Sequence, residues 1–293
     1  MPRSSPPVQT SKKPSPASTP IPSNNSSTTH WHFDHTGGNE WVHQAGASIL
    51  AHENTPRTSL QTHPRRRQLA SYTFPAAPAG ALPSTVFKDE HTLHANNTTL
   101  KLKHYQPAHT DSDISVYFAE ADILHTADTF WNRDYPFIDY GTGGSIDGQI
   151  RAAEANIAAV TNNTIVIPGH GAVGNKADLI LFRDVLVEIR DKVARPLKKQ
   201  GKPLPEIIAA KPGARYDAEW GNLFQNPADF VALVYQGVLS IPIPHLSPLL
   251  LARPAQRKSL PPILSWNKRP SIRFDLKEHI WLDGELSCKG VVV

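Results

Sequence analysis

The sequence predicts an α/β fold, on three observations. Between Thr98 and His125, short stretches read as strands: Leu100 and Leu102 alternate with Lys101 and Lys103, and Ile114–Phe118 and Asp122–His125 follow. Next, Ile146, Ile150, Ala153, Ile157 and Val160 recur at three- and four-residue steps, one face of an amphipathic helix. Thr164–Ile167 then forms a buried-type strand stopped by Pro168-Gly169.

The other elements follow in chain order. Residues 1–28 are rich in Ser, Pro, Thr and Asn, with Val8 and Ile21 as the sizeable apolar side chains, and read as a disordered tail. Ala47–Ala51 is a short apolar strand running into polar His52-Glu53-Asn54. Residues 55–84 read as irregular, with Arg65-Arg66-Arg67 as a solvated loop. A second helix is expected from about Ala177 to Ala194, with Leu179, Phe182, Leu186, Ile189 and Val193 on one face and Pro196 ending or kinking it. A third starts at Asn226 as N-cap, with Pro227 at the first helical position and Asp229 in the first turn. It buries Phe230, Leu233 and Val234 and ends near Gly237. Beyond Val238, prolines break every candidate element until a short strand at Ser271–Phe274. This divides the chain into a tail (1–28), a folded domain (29–238) and a Pro-rich basic tail (239–293).

Charge supports that division. The first 28 residues carry +3 and the last 54 carry +4 of a chain total of +4, which leaves the middle at −3. The basic isoelectric point therefore belongs to the ends and argues against a nucleic-acid-binding face on the folded part. One cysteine, Cys288, excludes an internal disulfide framework and a Cys-rich zinc module. No run approaches the roughly 18 apolar residues of a membrane span. No apolar run follows the first basic residues, so the N-terminus does not read as a secretory signal and the compartment defaults to cytoplasmic.

The chemistry is concentrated in His30-Trp31-His32-Phe33-Asp34-His35, which puts four candidate ligands within six residues. Imidazoles at i and i+2 project to one side of an extended segment. A turn, eased by Gly37-Gly38, brings Asp34 and His35 toward the same point. Histidine and carboxylate are the donors of a hydrolytic zinc site.

This string resembles the signature of the metallo-β-lactamase superfamily, whose fold is an αββα sandwich. Three further motifs of that family recur in order. They are Ala108-His109-Thr110-Asp111-Ser112-Asp113, Ile123-Leu124-His125-Thr126-Ala127-Asp128-Thr129 and Pro168-Gly169-His170-Gly171. The resemblance covers residues 29–238. It implies one metal on His30, His32 and His109, a second on Asp34, His35 and His170, and Asp128 between them. It further implies two zinc ions per chain, with iron or manganese as alternatives, a hydrolase acting on an ester, lactone, thioester or amide, and a small-molecule substrate. Asp34 would accept a proton from the attacking water. Relatives with this pattern often carry an export signal.

Weaker candidates each have two readings. Asp111 and Asp113 are either carboxylates orienting His109 or turn residues. His125 reads as a buried histidine outside the ligand set. His43, His52, His63, His91, His94 and His104 read as surface positions. Trp31, Phe33, Trp131, Tyr135, Phe137 and Tyr140 either line a pocket or pack in the core. Gly141-Thr142-Gly143-Gly144 reads as a loop before a helix, since it lacks the lysine and spacing of a phosphate loop.

One departure from the family pattern stands out. The residues leading into His30, Ser23–Thr29, contain no apolar side chain, so the first strands are expected to be missing and the sandwich incomplete. The C-terminal tail offers no evident replacement. Two other functions follow from the same ligand types: an iron-binding oxygenase or redox protein, and a metal-binding remnant without activity.

Overall fold

A computed structural model describes residues 25–60, 63–67, 70–74, 76–239 and 291–292. Its strands are β1 (Asn25–Ser27), β2 (Ser48–His52), β3 (His63–Arg67), β4 (Ala70–Phe74), β5 (Thr85–Phe87), β6 (Glu90–Ala95), β7 (Thr98–His104), β8 (Ile114–Phe118), β9 (Ile123–Trp131), β10 (Ile165–His170) and β11 (Val291–Val292). Its helices are α1 (Phe33–Thr36), α2 (Asn39–Gln44), α3 (Asn54–Ser59), α4 (Ile146–Ala159), α5 (Lys176–Gln200), α6 (Leu204–Ala209), α7 (Asp217–Trp220) and α8 (Pro227–Leu239).

Two sheets face each other between helical layers, as the predicted αββα sandwich requires. One sheet has the order β11-β1-β2-β5 and the other β10-β9-β8-β7-β6. Leu50 and Phe87 of the first meet Leu100, Leu102, Ile114 and Val116 of the second in a buried cluster. The alternation at β7 explains this: Leu100 and Leu102 turn inward while Lys101 and Lys103 stay exposed. On the outer face of the first sheet, Val42 of α2 packs on Ala47 and Ile49. On the outer face of the second, α4, α5 and α8 bury the largest cluster, which includes Leu124, Phe130, Val166, Phe182, Leu186 and Phe230.

The helices that position the site begin where their caps dictate. Ser145 caps α4, its hydroxyl accepting from Gly148 N, and Asn175 caps α5 in a reciprocal box with Asp178. Asn226 Oδ1 accepts from Asp229 N, as expected at the start of α8. The expected end of α5 is corrected: the helix carries Pro196 internally and runs on to Gln200, with Gly201 in the left-handed conformation closing it.

Three further expectations are corrected. The segment before His30 does hold a strand, for Asn25–Ser27 pair in parallel with Ser48–Leu50. Its lack of apolar residues misled because backbone hydrogen bonds define a strand this short, and its small hydroxyl side chains fit a crowded interior: Ser26, Ser27, Thr28 and Thr29 are all buried. Second, Val291–Val292 pair antiparallel with β1, so the end of the chain joins this sheet. Third, residues 55–84 are not irregular throughout: they include most of α3 and the β3–β4 hairpin, in which Arg65, Arg66 and Arg67 are paired strand residues. The rest of the expected tails, with Ser271–Phe274 and Cys288, lies outside the described residues. Among the described residues no helix is long and apolar enough to cross a membrane.

Candidate metal centre

All seven expected ligands converge at one end of the sandwich. The ligand atoms of His30, His32, His109 and Asp128 lie within 4.8 Å of one another, and so do those of Asp34, His35 and His170. His30 and His32 sit on the extended segment after β1, which is tied to both sheets: Thr28 N donates to Leu50 O at 2.9 Å and Ile114 N donates to Thr29 O at 2.9 Å. The single-turn helix α1 then reverses the chain, with His35 N and Thr36 N both donating to His32 O at 2.9 Å, and this swings Asp34 and His35 toward the site.

Asp128 lies between the two groups. Its Oδ1 is 3.0 Å from His35 Nε2, and its Oδ2 is 3.3 Å from both His109 Nε2 and His170 Nε2 and 4.0 Å from His30 Nε2. Asp128 was expected just past a strand. It lies instead inside β9, at an irregularity that aims it. From Ala127 to Trp131, four residue steps of β9 face the two steps from Pro168 to His170. Ala127 takes φ +46°, a strained conformation for a residue with a side chain. Gln149 of α4 holds the bulged strand, its Nε2 donating to Asp128 O at 2.7 Å. Gly169 lets β10 pass close by, since a Cβ there would come within 2.0 Å of Asp128 Oδ1 and 2.7 Å of Ala127 C.

The imidazoles are oriented through their outer nitrogens. His109 Nδ1 donates to Phe137 O at 2.7 Å, which directs Nε2 inward. His32 is used the other way round: its Nε2 contacts Asp139 Oδ2 at 3.1 Å while its Nδ1 faces His109 Nε2 at 2.9 Å. Thr29 Oγ1 lies 3.1 Å from His35 Nδ1 and 3.4 Å from His30 Nδ1. Partners of this kind fix the tautomer and ring angle of metal-binding histidines. Neither Asp139 nor Thr29 was singled out from the sequence, because neither lies in a ligand motif. Position alone could have flagged Thr29, directly before His30.

Electrostatics suit bound cations. Burial and the neighbouring His35 push the His30 imidazole well below its ordinary pKa, so it is neutral, the form that binds metal. Burial opposes ionisation of Asp128, but His35, His170 and His109 outweigh it and hold the carboxyl well below the usual range. His30 Nε2 and Asp128 Oδ1 are buried without a hydrogen bond, an arrangement that costs free energy unless a cation satisfies them. The donor set of imidazole and carboxylate fits zinc.

The weaker candidates separate. Asp113 touches the backbone of the His109 loop rather than its ring: Oδ2 accepts from His109 N and Thr110 N, both at 2.8 Å, and Oδ1 from Thr110 Oγ1 at 2.6 Å. Asp111 lends its carbonyl to Asn54 Nδ2 at 3.0 Å. Trp131 stacks on His170 at 3.8 Å between ring centroids, as their pairing across β9 and β10 dictates. Trp31 donates its indole N–H to Thr142 Oγ1 at 3.3 Å. Tyr135 belongs to the helical core, stacked on Phe230 with its hydroxyl donating to Asp217 Oδ1 at 2.8 Å. Gly144 packs where a Cβ would meet His109 O at 2.4 Å, so the glycine-rich stretch wraps the His109 loop. His125 is buried opposite Val116, outside both groups. His52, expected at the surface, is buried and stacks on His104 at 3.6 Å.

Residues 28–170 match the family model described as the metallo-beta-lactamase superfamily. No curated protein matches the chain. Among solved structures, a double mutant of the sec-alkyl sulfatase PisA1 matches with TM-score 0.53 at 19% identity, over 73% of this chain and 41% of that one. The stereoselective inverting sec-alkylsulfatase Pisa1 from Pseudomonas sp. gives TM-score 0.51 at 18% identity, with the same coverage of each chain. The DIM-1 metallo-beta-lactamase exposed to ceftazidime gives TM-score 0.43 at 23% identity, over 56% of this chain and 67% of that one. The chain thus spans about two fifths of the sulfatase length, and at these identities the likeness is one of fold.

Proposed function

Because residues 28–170 belong to the metallo-β-lactamase superfamily, we propose that this chain is a metal-dependent hydrolase of small molecules that works with two zinc ions. The observation that carries the reading is the convergence of His30, His32, His109 and Asp128 beside Asp34, His35 and His170. The first group would hold one cation and the second the other, with Asp128 reaching both. When bound, such a pair supplies Lewis acidity: it lowers the pKa of water and polarises the bond under attack.

The chain's own residues do the rest. Asp139, Thr29 and the Phe137 carbonyl keep the imidazoles aimed, so little reorganisation is needed when charge develops. Of the two carboxylates, Asp34 is the accessible one, with its side chain 19% exposed against 2% for Asp128. It is therefore suited to take the proton from the attacking water. An ester, lactone, thioester or amide is the substrate class.

Elemental analysis of the purified chain tests the metal assignment, together with thermal melts with and without a chelator. Two zinc ions per chain, a melt lowered by chelation and hydrolysis of a model ester are the expected results. Iron would replace hydrolysis by oxygen chemistry. A chain that binds metal yet cleaves nothing across an ester, thioester, lactone and amide panel would be a metal-binding remnant.

A further inference from the structure

The deep part of the metal centre is closed: His30, His109 and Asp128 are almost fully buried. Solvent reaches the cluster at His170 and Asp34, whose side chains are 17% and 19% exposed. A substrate must therefore enter on that side, and the side is apolar. Phe224, on the stretch between α7 and α8, has its ring 6.2 Å from His170, 5.2 Å from Trp131 and 6.2 Å from Phe137. Phe137 in turn lies 6.1 Å from both His32 and His109. Phe137 and Phe224 thus span both ligand groups, with buried Trp131 as backing.

Exposure makes this more than core packing. Phe224 is 39% exposed and Leu223 beside it 72%, while Phe33, the neighbour of Asp34 in the chain, is 60% exposed. These are three of the eight large hydrophobic side chains left exposed among the described residues. Phe33 adjoins Asp34 in sequence, Phe224 adjoins His170 in space, and Leu223 is next to Phe224 in the chain. Leaving aromatic surface in water forgoes the gain of burying it, so its grouping beside the exposed ligands His170 and Asp34 argues for an apolar occupant that arrives with the substrate. The stretch is also held in place: Phe224 N lies 3.5 Å from Asp134 Oδ1, and Asp134 is buried.

Resting on the hydrolase reading above, we propose that Phe224, with Phe137 and Leu223, selects substrates carrying an extended alkyl or aryl group next to the scissile bond. Phe224 is then a specificity-determining residue, and the substrate class narrows to amphiphilic esters or amides rather than small polar ones. Phe224 lies beyond residues 28–170, the segment that matches the family model.

The test uses the zinc-loaded chain with p-nitrophenyl acetate and p-nitrophenyl octanoate, and calorimetric titration of octanoate and acetate as non-reacting probes. The octanoate ester is expected to have the higher kcat/KM. Phe224→Ala should cut the octanoate-to-acetate ratio about tenfold or more, tenfold being the low end of what one methylene contributes in an apolar pocket. Phe224→Leu should retain most of the ratio, which separates loss of the apolar surface from misfolding. A wild-type ratio near one, or a ratio unchanged in Phe224→Ala, would overturn the proposal while leaving the hydrolase reading intact. If the metal-loaded chain cleaves neither ester, calorimetry decides alone, and the hydrolase reading is judged separately on the full ester, thioester, lactone and amide panel. Octanoate binding about tenfold weaker in Phe224→Ala supports the apolar wall, and equal binding overturns it.

Discussion

Asp139 Oδ2 sits 3.1 Å from His32 Nε2, so His32 presents Nδ1, not Nε2, to the candidate metal centre. The same carboxylate is fixed from behind, its Oδ1 accepting from Gly141 N at 3.2 Å. It therefore locks the ring rather than following it. Replacing Asp139 by Ala frees the ring and removes the charge that makes it a better donor. Metal affinity should fall roughly 10–100-fold. Competition against a chromophoric chelator measures this. An unchanged affinity would show that His32 is oriented by other contacts.

Gly169 gives a sharper steric case. An added methyl would have to share space with Asp128 Oδ1 and with the backbone of Ala127 and Asp128, and backbone leaves little to yield. Gly169→Ala should cost about 1–3 kcal/mol in urea unfolding, as overpacked sites do, and should also reduce bound metal by displacing Asp128. A variant of wild-type stability holding two zinc ions would mean that β10 can move away from β9 freely.

The candidate site was far more legible in the sequence than the sheet that carries it. His30, Asp34, His109, Asp128 and His170 stand in short motifs because a metal site demands particular side chains at close spacing, and that demand survives in the chain as text. Strand β1 left no such trace, since Asn25–Ser27 are held by backbone hydrogen bonds that any residue can make. The edge pairing of Val291–Val292 was equally invisible, because it joins residues more than 260 positions apart. The helices α4, α5 and α8 were readable from the 3.6-residue period of their buried faces. Pro196 misled because the hydrogen bond that a proline removes does not by itself end a long helix, and this one runs on to Gln200. Asp139 was missed for the opposite reason: its role depends on where the loop before α4 lies, and no local pattern encodes that.

Gln149 links the helical layer to the candidate metal centre. Its Nε2 donates to the carbonyl of Asp128 at 2.7 Å, and the whole side chain is buried. Gln149→Leu keeps the bulk and leaves that carbonyl without its donor, at a cost of about 1–3 kcal/mol. The loss should appear in urea unfolding and should grow when metal is present, because the variant also weakens the metal's grip on Asp128. An equal loss with and without metal would confine Gln149 to a packing role.

The stacked pair His52 and His104 should make stability depend on pH away from the metal centre. Burial, then the facing His104, lowers His52 from 6.5 to about 4, and burial lowers His104 as well. The unfolded chain therefore binds more protons than the folded one between about pH 6.5 and 4. Stability contributed by the neutral pair is complete above pH 6.5 and drains away as the pH falls through that window. Asp113 and Asp134, pushed up to about 6 mainly by burial, act in the opposite sense. The informative quantity is thus the difference between wild type and His52→Phe, which keeps an aromatic ring against His104. The melting temperature of His52→Phe should fall less steeply than that of wild type between pH 7 and 4.5. Parallel curves would show that His52 carries the same proton count folded and unfolded.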